Sequence, residues 1–217
     1  MFRSTGVATR TLIFINVLVY LGQVSSSGAL TDWLYYTPMA TLAEPWRMIT
    51  AGFAHSDNLA GDPTSIFHIA LNMYTLYILG NLLEPMLGAR RFTLLYMLSL
   101  FGGSVAVLVF GDPVGGVLGA SGGVFGLMGA YFVVLRTLGA NPGSMAGVIA
   151  INLVFTFINP GVSWQAHVGG LAIGAAVAFL FSKTRLSTQT QAQNLGLLAM
   201  AVALVVISYL KATSFLA

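Results

Sequence analysis

Residues 92–110 form a run of nineteen without a single charged side chain. At 1.5 Å per residue, a helix of that length nearly crosses a hydrocarbon core of ~30 Å. Seven apolar stretches of this kind can be marked, at about 11–29, 66–86, 92–110, 121–138, 144–158, 166–181 and 194–210. Several are short for a full crossing, which predicts thin or partly water-exposed helices. Gly, Pro and Asn mark the connections, as in Gly111-Asp112-Pro113 and Asn159-Pro160-Gly161. The expected fold is all-α, a polytopic transmembrane helical bundle.

Charge supports this reading. Only 7% of the 217 residues are charged and 57% are hydrophobic, whereas soluble domains carry about 25% charged residues. So few charges cannot cover a water-facing surface, so most of the outside must face lipid. The net charge of +3 does not signal nucleic acid. The basic residues sit at the ends of apolar segments and form no groove-sized patch. With no Cys, disulfide and thiolate chemistry are excluded. Arg3 and Arg10 precede the first apolar run as in a signal peptide, but Gly28-Ala29 is a poor cleavage site, so this run is expected to be a retained span. The polar, aromatic stretch 30–65, with Trp33, Glu44, Trp46 and Arg47, is expected to lie at the interface and pack on the bundle. A single membrane-embedded domain over 1–217 accounts for the length, and no internal repeat of the transporter kind is visible.

Lys and Arg set the expected orientation. With the N-terminus inside, Arg3, Arg10, Arg90, Arg91, Arg136, Lys183 and Arg185 lie at inner ends, seven of the nine basic residues. His68 and Asn72 then open the second span, Ser121 the fourth and His167 the sixth, all at the outer side. Ser121 is fifteen residues before Arg136, ~22 Å of helix, and His167 is sixteen before Lys183, ~24 Å. Both groups should lie roughly 6–8 Å below the outer surface of the core. Polar groups inside spans are costly and mark function by default.

The chemistry these residues suggest is hydrolytic. Ser121 becomes a nucleophile when a base takes its proton, and neutral His167 suits that near pH 7. Glycines flank the serine in Gly119-Ala120-Ser121-Gly122-Gly123, permitting a tight turn and close substrate approach. His68 and Asn72, at i and i+4, share a helical face and can donate to one oxyanion. Phe125, four residues after Ser121, can stack on His167. None of Asp32, Glu44, Asp57, Asp62, Glu84 and Asp112 is placed to complete a triad, so a dyad is expected. The match to Gly-x-Ser-x-Gly is coincidental, since no strand precedes it. Gly122 and Gly126, like Gly170 and Gly174, have the spacing of close helix contact. His55 reads as structural, Trp46 and Arg47 as interfacial anchors, and Glu84 as a cap at its own helix's exit or a partner of Arg90.

Taken together, Trp46-Arg47, His68-Ile69-Ala70-Leu71-Asn72, Gly119-Ala120-Ser121-Gly122 and Ala166-His167-Val168-Gly169-Gly170-Leu171-Ala172-Ile173-Gly174 resemble the rhomboid intramembrane serine proteases. The resemblance covers about residues 10–182. It implies a six-helix core, to which the span at about 194–210 is an addition after the polar linker 187–194. It also implies cleavage of transmembrane protein substrates in the lipid bilayer, with no cofactor and no metal. By the family pattern Ser121 is the nucleophile and His167 the base. His68 and Asn72 form the oxyanion hole with the Ser121 amide, Gly119 belongs to the serine loop, and Phe125 orients the base. Gly170 would let the fourth and sixth spans approach, and the fifth span and loop 159–165, with Trp164 as a lid, would gate the site. Two features depart from the pattern: His55 and His68 are separated by a long insert, and the seventh span is extra. A non-catalytic binder or chaperone on the same fold is the alternative, although such proteins usually lack the serine or histidine. The low charge suits a prokaryotic inner membrane.

Overall fold

The computed structural model describes residues 6–57 and 65–216. Arg3, Asp62 and the insert 58–64 lie outside the described residues. Among the described residues nine α-helices follow in order: α1 Val7–Ser25, α2 Ala29–Leu34, α3 Arg47–Thr50, α4 Ser65–Leu87, α5 Ala89–Phe110, α6 Ser121–Thr137, α7 Gly143–Ile158, α8 Trp164–Lys183 and α9 Thr190–Thr213. Among the described residues the sole β pairing is an isolated bridge between Tyr36 and Val117. The helices α1, α4, α5, α8 and α9 are long and apolar enough to cross a membrane; α6 and α7 are shorter apolar helices. Large apolar side chains such as Phe14, Leu71, Phe157 and Leu198 are exposed on the outside, an arrangement that only lipid can solvate. The chain is an all-α, multi-span membrane protein.

At the centre α5, α6 and α8 pack most extensively on one another. The cause is written in small residues. A Cβ on Gly170 would collide with the Gly122 carbonyl, and one on Gly174 with that of Gly126. On the other side, a Cβ on Gly103 would stand 2.8 Å from the Ala166 carbonyl oxygen. Backbone thus lies against backbone along these contacts, and dispersion replaces the hydrophobic drive that lipid cannot provide. A buried cluster that includes Leu76, Phe92, Leu95, Tyr96 and Leu127 fills the space among α4, α5 and α6. By contrast α7 buries a single side chain, Thr156.

Two expectations are corrected in detail. Glu84 does not cap its own helix or meet Arg90. It is buried, and its carboxylate accepts from the Ala8 amide (2.9 Å), the Thr9 amide (2.8 Å) and the Thr9 hydroxyl (2.6 Å). It therefore caps α1 from seventy-six residues away and starts that helix at Val7, ahead of its apolar run. Arg90 instead bonds Asn194. The 187–194 stretch is a joint, not a linker: a 3₁₀ turn spans Ser187–Gln189, α9 begins at Thr190, and buried Gln193 donates to the Thr184 carbonyl (3.0 Å) and hydroxyl (2.8 Å). Arg47 has partners within the chain. Its guanidinium donates to the carbonyls of Asp32 (2.8 Å) and Tyr35 (2.9 Å) and pairs with Glu44 at 2.8 Å. That brace organises the stretch between α1 and α4, which packs on α5 as Ser104 donates to the Met48 carbonyl at 2.6 Å.

Candidate active site

Ser121 is the first residue of α6, and Ala120 before it has no side chain that could cap the helix. The first amides of a helix have no intrahelical acceptor, and here no side chain replaces one. The Ser121 hydroxyl is half-buried and lines a cavity of about 900 Å³ that His68, Asn72, Phe125 and His167 also line. Among the described residues Ser121 Oγ makes no hydrogen bond.

Just before the serine, Gly119 has φ +127°, a conformation L side chains rarely adopt. A Cβ there would stand 2.9 Å from His68 Nε2 and 3.8 Å from Ser121 Oγ. The bare glycine lets the His68 ring lie over the serine loop. Its own amide donates to the Ala51 carbonyl at 2.9 Å, so Gly119 holds the loop in place and offers no donor to the cavity.

His68 Nδ1 accepts the Ser56 amide at 3.3 Å. A backbone N–H can only donate, so the neutral ring carries its proton on Nε2, the nitrogen beside Gly119. His68 Nε2–H is therefore a donor in the cavity that Ser121 also lines. Asn72 spends one amide hydrogen on the His68 carbonyl at 2.8 Å and keeps a second. His55, across the insert, packs edge-on against His68 with ring centroids 5.2 Å apart. Gln23 brackets it, accepting its amide at 2.9 Å and donating to its carbonyl at 2.8 Å. The long insert leaves these two rings together, as the sequence did not suggest.

His167, near the start of α8, is buried and stacks on Phe125 with centroids 4.0 Å apart and planes 16° from parallel. Its helix starts where Ser163 Oγ accepts the Ala166 amide at 3.2 Å. The other face of the ring's environment was not anticipated: Thr156 Oγ1 lies 2.7 Å from His167 Nδ1. Thr156 and Asn152, polar residues at i and i+4 in an apolar stretch, were the signal available for it. Trp164, at the cavity rim, contacts Phe157 across the α7–α8 connection at 5.8 Å.

The family profile of the Rhomboid domain matches residues 42–184, well over half of the chain. The chain belongs to the rhomboid family. It is 37% identical over 145 residues to RHOMBOID-like protein 1 of Arabidopsis thaliana, covering 64% of this chain and 35% of that protein. Rhomboid protease GluP of Bacillus subtilis is 30% identical over 197 residues, 83% of this chain and 36% of its own length. Rhomboid protease GlpG of Photorhabdus laumondii is 29% identical over 185 residues, 81% of this chain and 62% of that one. The chain thus spans only about a third of the length of two of these curated relatives. Membership brings the fold type and the membrane context.

Proposed function

We propose that the chain is an intramembrane serine endopeptidase that cleaves transmembrane segments of other membrane proteins. The observation that carries this reading is that Ser121, His68, Asn72 and a Phe125-stacked His167 line one cavity. Ser121 Oγ attacks the scissile carbonyl carbon while its proton passes to His167 Nε2. The oxyanion is met by the free Ser121 amide, His68 Nε2–H and the second amide hydrogen of Asn72. On collapse the C–N bond breaks, and Nε2–H protonates the departing amine. Water, deprotonated by the same nitrogen, then hydrolyses the acyl-enzyme and regenerates the serine. Helices α1 and α4–α8 form the six-span core of a single domain, with α9 added. The N-terminus is cytoplasmic and the cavity opens outward, following the basic residues.

The test is purified wild type against Ser121→Ala and His167→Ala on tagged transmembrane helices, with cut sites mapped by mass. Cleavage and labelling by a fluorophosphonate are expected from wild type and from neither variant. An intact wild type that does neither, in several lipid compositions, would leave the binder as the better reading.

A further inference from the structure

Thr156 is the only side chain that α7 buries, 2% exposed, and it is spent on His167. Its hydroxyl oxygen lies 2.7 Å from His167 Nδ1 and 2.8 Å from the Asn152 carbonyl oxygen. A hydroxyl has one hydrogen and a carbonyl has none to give. Both contacts are satisfied together in one way: Thr156 donates to Asn152 and accepts from a proton on Nδ1. The opposite tautomer would turn the threonine hydrogen toward Nδ1 and abandon the part-buried Asn152 contact, giving up one hydrogen bond.

We propose that Thr156 is a positioning residue that holds His167 in its Nδ1–H tautomer, leaving the Nε2 lone pair free as the base. The role rests on the protease reading above. Phe125 fixes the plane of the imidazole, and Thr156 fixes its rotation within that plane. The described acids are committed elsewhere or unconnected to the ring. Asp57 accepts from Thr31, Glu44 pairs with Arg47, Glu84 caps α1, and Asp112 accepts the Val114 amide. A neutral hydroxyl thus occupies the place a carboxylate takes in a triad. No proton leaves Thr156. When Nε2 takes the serine proton, Nδ1–H keeps its acceptor and the threonine keeps its own. His68 is held oppositely, with Nδ1 accepting and Nε2–H donating, so the two rings present one donor and one acceptor to the same cavity.

The tautomer can be read directly. The chain has three histidines, so ¹⁵N-histidine NMR of the full-length protein in micelles, assigned with His55→Gln and His68→Gln, resolves His167. Wild type is expected to show a protonated Nδ1 and a bare Nε2. Thr156→Val, which keeps the shape and removes the hydroxyl, should mix the tautomers and lower kcat by about tenfold or more with KM unchanged. Thr156→Ser should restore most of both. A wild-type His167 protonated on Nε2 overturns the proposal, as does a Val variant with unchanged tautomer and kcat. If the Val variant does not fold, the wild-type spectrum still decides. A wild type that neither cleaves nor labels rejects the protease reading instead, and the NMR result stands apart from it.

Discussion

Gly119 combines two requirements that no other residue meets. Its φ of +127° strains any side chain, and a Cβ would press on His68 Nε2 at 2.9 Å. Gly119→Ala should therefore cost about 1–3 kcal/mol of stability from backbone strain. It should also cut cleavage more than that loss explains, because the oxyanion donor is pushed aside. Thermal unfolding and turnover measured on the same preparation separate the two effects. Unaltered turnover in a folded variant would remove His68 from the mechanism. At this scale the sequence was legible where placement is local: residue type and span position put Ser121, His167, His68 and Asn72 at one end of the bundle, and the four line one cavity. Thr156 was not found, because its meaning lies in a contact between two helices and one threonine among apolar residues looks like a satisfied back-bond.

Among the helices, the contacts that matter are long-range caps and bare backbones. Glu84 accepts three donors at the start of α1. Glu84→Gln should weaken these charge-assisted bonds and the favourable dipole term, destabilising by about 1–3 kcal/mol. The midpoint of thermal unfolding in micelles reports it, and no change would mean that water replaces the cap without penalty. Before α4, burial and the neighbouring His68 ring push His55 from its ordinary 6.5 down to about 3. The folded state keeps this imidazole neutral while the unfolded chain protonates it near 6.5. Its contribution is thus intact above about pH 6.5 and is lost as pH falls from there toward 3. A melt at pH 7.5 against pH 4.5 should show the decline, and His55→Gln should flatten it relative to wild type. The helices themselves were readable from apolar length, with α1 and α9 starting earlier than their apolar runs because Glu84 and Gln193, distant or polar, hold their first turns.

For the molecule as a whole, the orientation argued from basic residues has a direct test. The chain contains no Cys, so single cysteines can be introduced without competition. Val114 lies in the exposed α5–α6 connection and Ala140 in the exposed α6–α7 connection. With the N-terminus inside, Val114→Cys should react with a membrane-impermeant maleimide on intact cells. Ala140→Cys should react only after permeabilisation. The reverse pattern would place the cavity on the cytoplasmic face and overturn the outward-opening site.

Composition and spacing alone determined that this chain must fold as membrane-crossing helices, because so few charges cannot cover a soluble surface. They also determined which polar residues share one end of the bundle, because helix length fixes depth. Tertiary structure decided what those residues do to one another. A hydrogen-bond partner fixes a tautomer, and the partners of His68 and His167, Ser56 and Thr156, come from outside their own helices. The helices approach closely enough for this because Gly122 and Gly126 face Gly170 and Gly174. Small-residue spacing announced a close contact, the family resemblance implied that it joins the fourth and sixth spans, and packing in three dimensions brought Ser121 and His167 to one cavity.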